Sequence, residues 1–218
     1  MGRTAPDANG AVAQIAAGSL PLYFRRRLED FPRHHGYLRA APERIAHWRQ
    51  RLASLGPGLK VGLSWVGGAL KTRRALRSIG LPQLSPVLRS PGAHFVSLQY
   101  TRCEADIDAF TRDSGIAIHH WPEAIADYDE TAALVSALDL VISVTTSIVH
   151  LAGALGKPAW ILVPTVAEWR YLRSGCSMPW YPSVRLHRQA VLGDWVPVVE
   201  EIRSALCALV ERTARPGT

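Results

Sequence analysis

Beyond residue 58 the chain switches repeatedly between short apolar runs and apolar positions three or four residues apart. The first pattern marks buried strands and the second amphipathic helices. Lys60–Trp65 (KVGLSW), His94–Gln99 (HFVSLQ), Ile116–His120, Asp139–Val144 (DLVISV) and Pro158–Val163 read as strands. Between them, Leu84–Leu88, Glu104–Ser114, Asp129–Leu138 and a stretch from about Ser147 to Leu155 read as helices. Asp129 is placed as an N-cap, and Gly156 as the stop of the last of these. Upstream, Ile45, Trp48 and Leu52 share one face of a helix over 42–55, ended by Gly56 and Pro57. The tail from Asp194 to Arg215 is a long amphipathic helix with Val196, Val199, Ile202, Leu206 and Leu209 as its buried stripe. Strands alternating with helices at these spacings predict an α/β fold with a mostly parallel, doubly wound sheet.

In such a sheet, ligands sit beyond the carboxyl ends of the strands. That edge directs attention to four segments. After the fourth strand, Thr145-Thr146-Ser147 leads straight into a helix, whose unpaired first-turn N–H groups and positive dipole end favour a phosphate. His150 follows four residues after Thr146, on the same side of that helix. A plain helix cap with His150 packed under the sheet accounts for the same residues. After the first strand, Gly67-Gly68 with Lys71, Arg73, Arg74 and Arg77 forms a loop that suits a diphosphate clamp or a solvated basic loop. Gln99, closing the second strand, is placed either to bond a ribose or base, or to order its loop. Glu168-Trp169-Arg170 and Trp180-Tyr181-Pro182 supply aromatics for a pocket wall or a hydrophobic lid. His119-His120 lacks a third ligand at useful spacing, so no metal is expected.

The 218 residues suffice to bury a full core in one domain, or to make one domain plus a short appendage. The net charge of +7 is carried almost wholly by arginine, the lysines being Lys60, Lys71 and Lys157. No arginine stripe with interleaved aromatics marks a nucleic-acid surface, so no nucleic-acid partner is expected. Cys103, Cys176 and Cys207 lack ligand or disulfide spacing and read as free thiols. With no run long enough to span a membrane and a poor leader, the cytoplasm is the expected location.

In chain order the segments resemble the donor-binding half of bacterial glycosyltransferases related to the ADP-heptose–lipopolysaccharide heptosyltransferases, in the versions attached to tetratricopeptide repeats. VGLSWVGG at 61–68, RSIGL at 77–81 and FVSLQ at 95–99 carry the resemblance. So do ETAALVSALDLVISVTTSIVHLAGALGKPAW at 130–160, EWRYL at 168–172 and MPWYPSVRLHRQ at 178–189. It implies the C-terminal, Rossmann-like half of a GT-B fold that holds a nucleotide-diphosphate sugar for transfer to a protein or glycan acceptor, without a metal cofactor. The donor-binding set it implies is Gly67, Lys71, Arg74, Arg77, Gln99, Thr145, Thr146, Ser147, His150 and Trp169. Residues 41–218 form that domain, and residues 1–40 a lead-in with the remnant of an N-terminal, acceptor-binding domain. Two departures qualify the picture. The family's Asp in its SVDT motif is Thr145 here, and most of the acceptor half is missing, so no catalytic base is assigned. A complementary N-terminal domain or tetratricopeptide-repeat partner is then expected, and a non-catalytic nucleotide-binding or assembly module is the alternative.

Overall fold

The computed structural model describes residues 14–68 and 74–214, and the chain divides after Pro32 into two compact units. Lys71 and Arg73 of the basic loop lie outside the described residues. Within the first unit a single helical turn, α1 (Pro21–Phe24), starts on its proline, where the missing N–H costs nothing. Leu22, Tyr23 and Phe24 on it are exposed.

The second unit is built on six strands: β1 (Leu59–Ser64), β2 (Ala93–Ser97), β3 (Ile118–His119), β4 (Leu140–Val144), β5 (Ala159–Val163) and β6 (Val184–Arg188). They lie in the order β3-β2-β1-β4-β5-β6, and every pairing is parallel. The chain builds outward from β1 to one edge, returns, and builds outward from β4 to the other. β1 and β4 are therefore the central pair, and the loops leaving their carboxyl ends diverge into a crevice.

The sequence expectation of five strands falls one short. In β6 only Val184 and Leu186 alternate as apolar positions before His187, and Arg185 between them is exposed. Three alternating residues at a sheet edge give too little periodicity to register. A further short helix, α5 (Pro122–Ala126), also lies outside the elements expected from sequence. The next helix, α6 (Tyr128–Ala137), is capped by Asp127, whose carboxylate accepts from the Asp129 N–H at 2.9 Å. Asp129 is thus in the first turn and is not the cap.

Helices cover both faces of the sheet, and strand alternation assigns each side chain to one of two cores. On one face, α2 (Pro42–Ala53), α5, α6 and α7 (Ser147–Ala154) bury Trp48, Trp121, Leu134 and Val149 against Val96, Val141 and Ile161. On the other, α3 (Leu81–Leu88), α4 (Glu104–Ser114) and α8 (Val196–Ala214) bury Leu84, Phe110 and Ile202 against Val61, Leu63, Phe95 and Ile142. Each fully buried aliphatic side chain contributes roughly 1.5–3 kcal/mol. Residues 33–40 belong to this unit. The Tyr37 and Leu38 N–H groups both donate to the Ala154 carbonyl, at 2.7 and 2.9 Å, so this stretch is fastened to the far end of α7. Among the described residues, no helix is long and apolar enough to cross a membrane.

Candidate functional site

The loops leaving β1 and β4 meet. Gly67 lies between them: a Cβ there would stand 3.0 Å from the Arg77 carbonyl oxygen, 3.2 Å from Val144 Cγ2 and 3.3 Å from the Thr145 carbonyl oxygen. Any larger residue would push the two loops apart. The Gly67 N–H donates to Ser78 Oγ at 3.1 Å, and Ser78 Oγ donates to the Arg74 carbonyl at 2.7 Å, closing the β1 loop on itself.

Arg77 joins the loops. It ends the 3-10 turn Arg74–Arg77, and its Nε donates to Thr145 Oγ1 at 3.0 Å while Nη2 donates to the Thr145 carbonyl. Nη2 also lies 3.2 Å from Glu168 Oε1, and Glu168 Oε2 accepts from Arg170 Nη1 at 2.6 Å. One carboxylate from the loop after β5 is therefore held between two guanidinium groups, and the cluster keeps one net positive charge. Arg77 is largely sheltered, with 17% of its side chain exposed, so its field is less screened than that of a surface arginine.

Thr146 takes extended backbone angles (φ −125°, ψ 178°) and caps α7, its hydroxyl accepting from the Ile148 N–H at 3.3 Å. The same hydroxyl is 3.2 Å from Ser143 Oγ. Ser147, the first helical residue, is exposed at the mouth. His150, one turn on, is half-buried, its ring 6.3 Å from that of Tyr171 and 5.8 Å from that of Tyr181. Burial, and then the Arg170 charge, push its pKa below the usual histidine range. At neutral pH it offers a hydrogen bond and no charge.

Other residues of the expected set lie apart from this cluster. Arg74 lines a cleft of about 890 Å³ together with Trp65, Ile79, Phe110 and Asp113, on the α3–α4 face. Gln99 is buried and engaged within the protein. Its Oε1 accepts from the Trp65 and Val66 N–H groups at 3.1 and 3.0 Å, and its Nε2 donates to the Val66 carbonyl and Thr101 Oγ1 at 3.0 and 2.9 Å. Of its two alternative roles, the geometry matches loop ordering. Trp169 is 54% exposed, 5.7 Å from the Trp180 ring, with the Arg170 guanidinium 4.6 Å over its face. It is linked to the cluster through its neighbour Glu168.

Two groups at the site lie outside the expected donor-binding set. The Glu168 carboxylate belongs to a segment expected to contribute aromatics, and its role as an anchor for Arg77 and Arg170 depends on contacts across loops. Tyr171 is fully buried, its hydroxyl has no hydrogen-bond partner among the described residues, and the charges of Glu168, Arg77 and Arg170 all act on it.

The fold is that of solved glycosyltransferases. It superposes on Escherichia coli ADP-heptose lipopolysaccharide heptosyltransferase II with a TM-score of 0.55 at 16% identity, over 87% of this chain and 59% of that one. A glycosyl transferase family 9 structure from Veillonella parvula gives 0.58 at 13% identity, over 83% of this chain and 55% of that one. At these identities the likeness is one of fold. In sequence the chain is 39% identical over 194 residues to the protein FlbA of Caulobacter vibrioides, a match that takes in 88% of this chain and 32% of FlbA. The chain therefore spans about a third of that relative. No family model matches it.

Proposed function

We propose that this chain is the donor half of a glycosyltransferase, and that it holds the diphosphate of a nucleotide sugar in the crevice between the β1 and β4 loops. The carrying observation is the bond from Arg77 to Thr145. It brings a sheltered guanidinium to the amino end of α7 at the point where the strand order reverses. The helix end and the Arg77 and Arg170 charges are the kinds of group that stabilise an anion whose charge grows as a nucleoside diphosphate departs. Gly67, Arg77, Thr145, Thr146, Ser147 and His150 line or approach the phosphates in this reading, and Lys71 of the same basic loop is proposed to add to their binding. Trp169 walls the sugar side, Arg74 faces the neighbouring cleft, and Gln99 holds the β1 loop in shape. Transfer to a protein or glycan acceptor would use a complementary acceptor domain or partner, in keeping with the greater length of FlbA and the heptosyltransferase. The alternative is a nucleotide-binding module without transfer activity, favoured by the hydroxyl of Thr145 where the resembling family carries a carboxylate.

Titration with ADP, UDP, GDP and CMP by calorimetry tests binding. Saturable binding of at least one nucleoside diphosphate is expected, weakened about ten-fold or more in Arg77→Ala, since a hydrogen bond to a charged group contributes about 1.5–3 kcal/mol. If none of the four moves the melting temperature at millimolar concentration, the proposal fails. Sugar transfer on addition of an acceptor-domain chain separates the enzyme from the binding module.

A further inference from the structure

A second constellation lies at the same sheet edge but two strands away from the proposed donor crevice. The loop leaving β2 delivers Cys103 and Glu104 to the start of α4, and the residue after β3 is His120. One ligand atom from each lies within 4.8 Å of the others. Cys103 Sγ is 3.8 Å from His120 Nδ1 and 4.0 Å from Nε2, and His120 Nε2 is 3.7 Å from Glu104 Oε1. The nitrogen–oxygen separation is too long for a direct hydrogen bond. It is close to the spacing that a shared cation imposes: around tetrahedral zinc, bond lengths of about 2.3 Å to sulfur and 2.0–2.1 Å to nitrogen and oxygen give edges of about 3.6 and 3.4 Å.

The surroundings support the three donors. Glu104 Oε2 accepts from the Cys103 N–H at 2.9 Å, which leaves Oε1 turned to His120. Ser97 Oγ accepts from the Gln99 N–H at 3.3 Å and lies 3.7 Å from Cys103 Sγ, so its own proton is free to point at the sulfur. Such outer hydrogen bonds orient metal ligands and raise affinity. Cys103 is 3% exposed, whereas the Glu104 side chain is 57% exposed. An ion can thus enter past the glutamate and keep a solvent-facing fourth position. One sulfur, one imidazole nitrogen and one carboxylate oxygen is a borderline donor set that suits zinc or cobalt and not magnesium or calcium.

We propose that Cys103, Glu104 and His120 bind a single divalent cation of the zinc class. His120, which by spacing alone lacked partners, gains them because the β2–α4–β3 crossover folds residues 103 and 104 back beside it.

Tag-free protein titrated with Co²⁺ tests this. One equivalent is expected to bind with a thiolate-to-cobalt charge-transfer absorption in the near ultraviolet, bleached by Zn²⁺. Cys103→Ser should abolish the band, His120→Gln and Glu104→Gln should weaken binding at least ten-fold, and Ser97→Ala by about ten-fold. The double substitution Cys176→Ser with Cys207→Ser should leave the band intact. Should Cys103→Ser not fold, the His120 and Glu104 variants give the reading. Absence of the band in the parent protein, its survival in Cys103→Ser, or unchanged affinity in both His120→Gln and Glu104→Gln would overturn the assignment.

Discussion

Arg77 holds Thr145 by two bonds, Nε to the hydroxyl at 3.0 Å and Nη2 to the carbonyl. A loop leaving β1 is thereby tied to a loop leaving β4, across 68 residues of sequence. The planar fork of arginine makes both bonds at once, and a lysine cannot. Arg77→Lys should therefore keep the charge yet lose the tie. Nucleoside diphosphate affinity is expected to fall about ten-fold, roughly 1.4 kcal/mol. Thr145→Val removes the acceptor of Nε and should lower unfolding free energy by about 1.5–3 kcal/mol. Calorimetry and urea denaturation read the two effects, and unchanged values in both variants would mean that the tie organises nothing.

Gln99 makes a contrasting case, because its amide is occupied inside the protein. Truncating it leaves the buried Trp65 N–H and the partly buried Val66 N–H and carbonyl without their partner. Gln99→Ala is expected to cost about 1–3 kcal/mol in urea denaturation. Nucleotide binding should weaken only as far as the β1 loop loosens, so adding saturating ligand recovers most of the lost stability. A variant with full stability and abolished binding would instead place Gln99 in direct contact with ligand.

Most of the architecture was legible because five strands are apolar runs between helices with strong 3.6-residue periodicity. Val61, Leu63, Leu140 and Ile142 carry that signal and are all buried. What escaped was short or non-local. β6 alternates over too few residues, and Asp127 caps α6 two residues before the acidic residue that looked suited to it. At the site, Thr145 could be nominated from its place just beyond a strand end, and Arg77 from the basic loop that follows β1. The Glu168 clamp and the meeting of His120 with Cys103 depend on which loops adjoin in space, and spacing along the chain does not encode that.

His119, His150 and His187 all have pKa values below the ordinary histidine range, in each case chiefly through burial. For His150 the Arg170 charge adds to this and Glu168 opposes it; for His187, 3.0 Å from Glu201 Oε1, the carboxylate opposes it without prevailing. A histidine with a depressed folded pKa takes up its proton more readily in the unfolded chain. Stability is therefore full above the unfolded pKa of about 6.5 and is lost as pH falls below it. Unfolding free energy should drop between pH 7.5 and pH 5.5, and His187→Gln should shrink that drop. An equal drop in the variant would assign the acid sensitivity to the other two.

Gly156 and Gly115 offer a matched pair for separating backbone strain from close packing. Their φ angles are +71° and +70°, so alanine at either position carries the same left-handed penalty of about 1–2 kcal/mol. A Cβ at Gly115 would meet nothing within 4 Å, whereas at Gly156 it would stand 2.0 Å from the His35 carbonyl oxygen. Backbone cannot yield as a flexible side chain can. In Gly156→Ala the 33–40 stretch must retreat from the end of α7, straining the bonds from the Tyr37 and Leu38 N–H groups to Ala154. Overpacking of this kind adds about 1–3 kcal/mol. Gly156→Ala should therefore unfold at clearly lower urea than Gly115→Ala, with protease cutting newly admitted within 33–40. Equal midpoints would show that this stretch is held by its side chains, His34, Tyr37 and the Tyr181 ring among them, and not by the glycine contact.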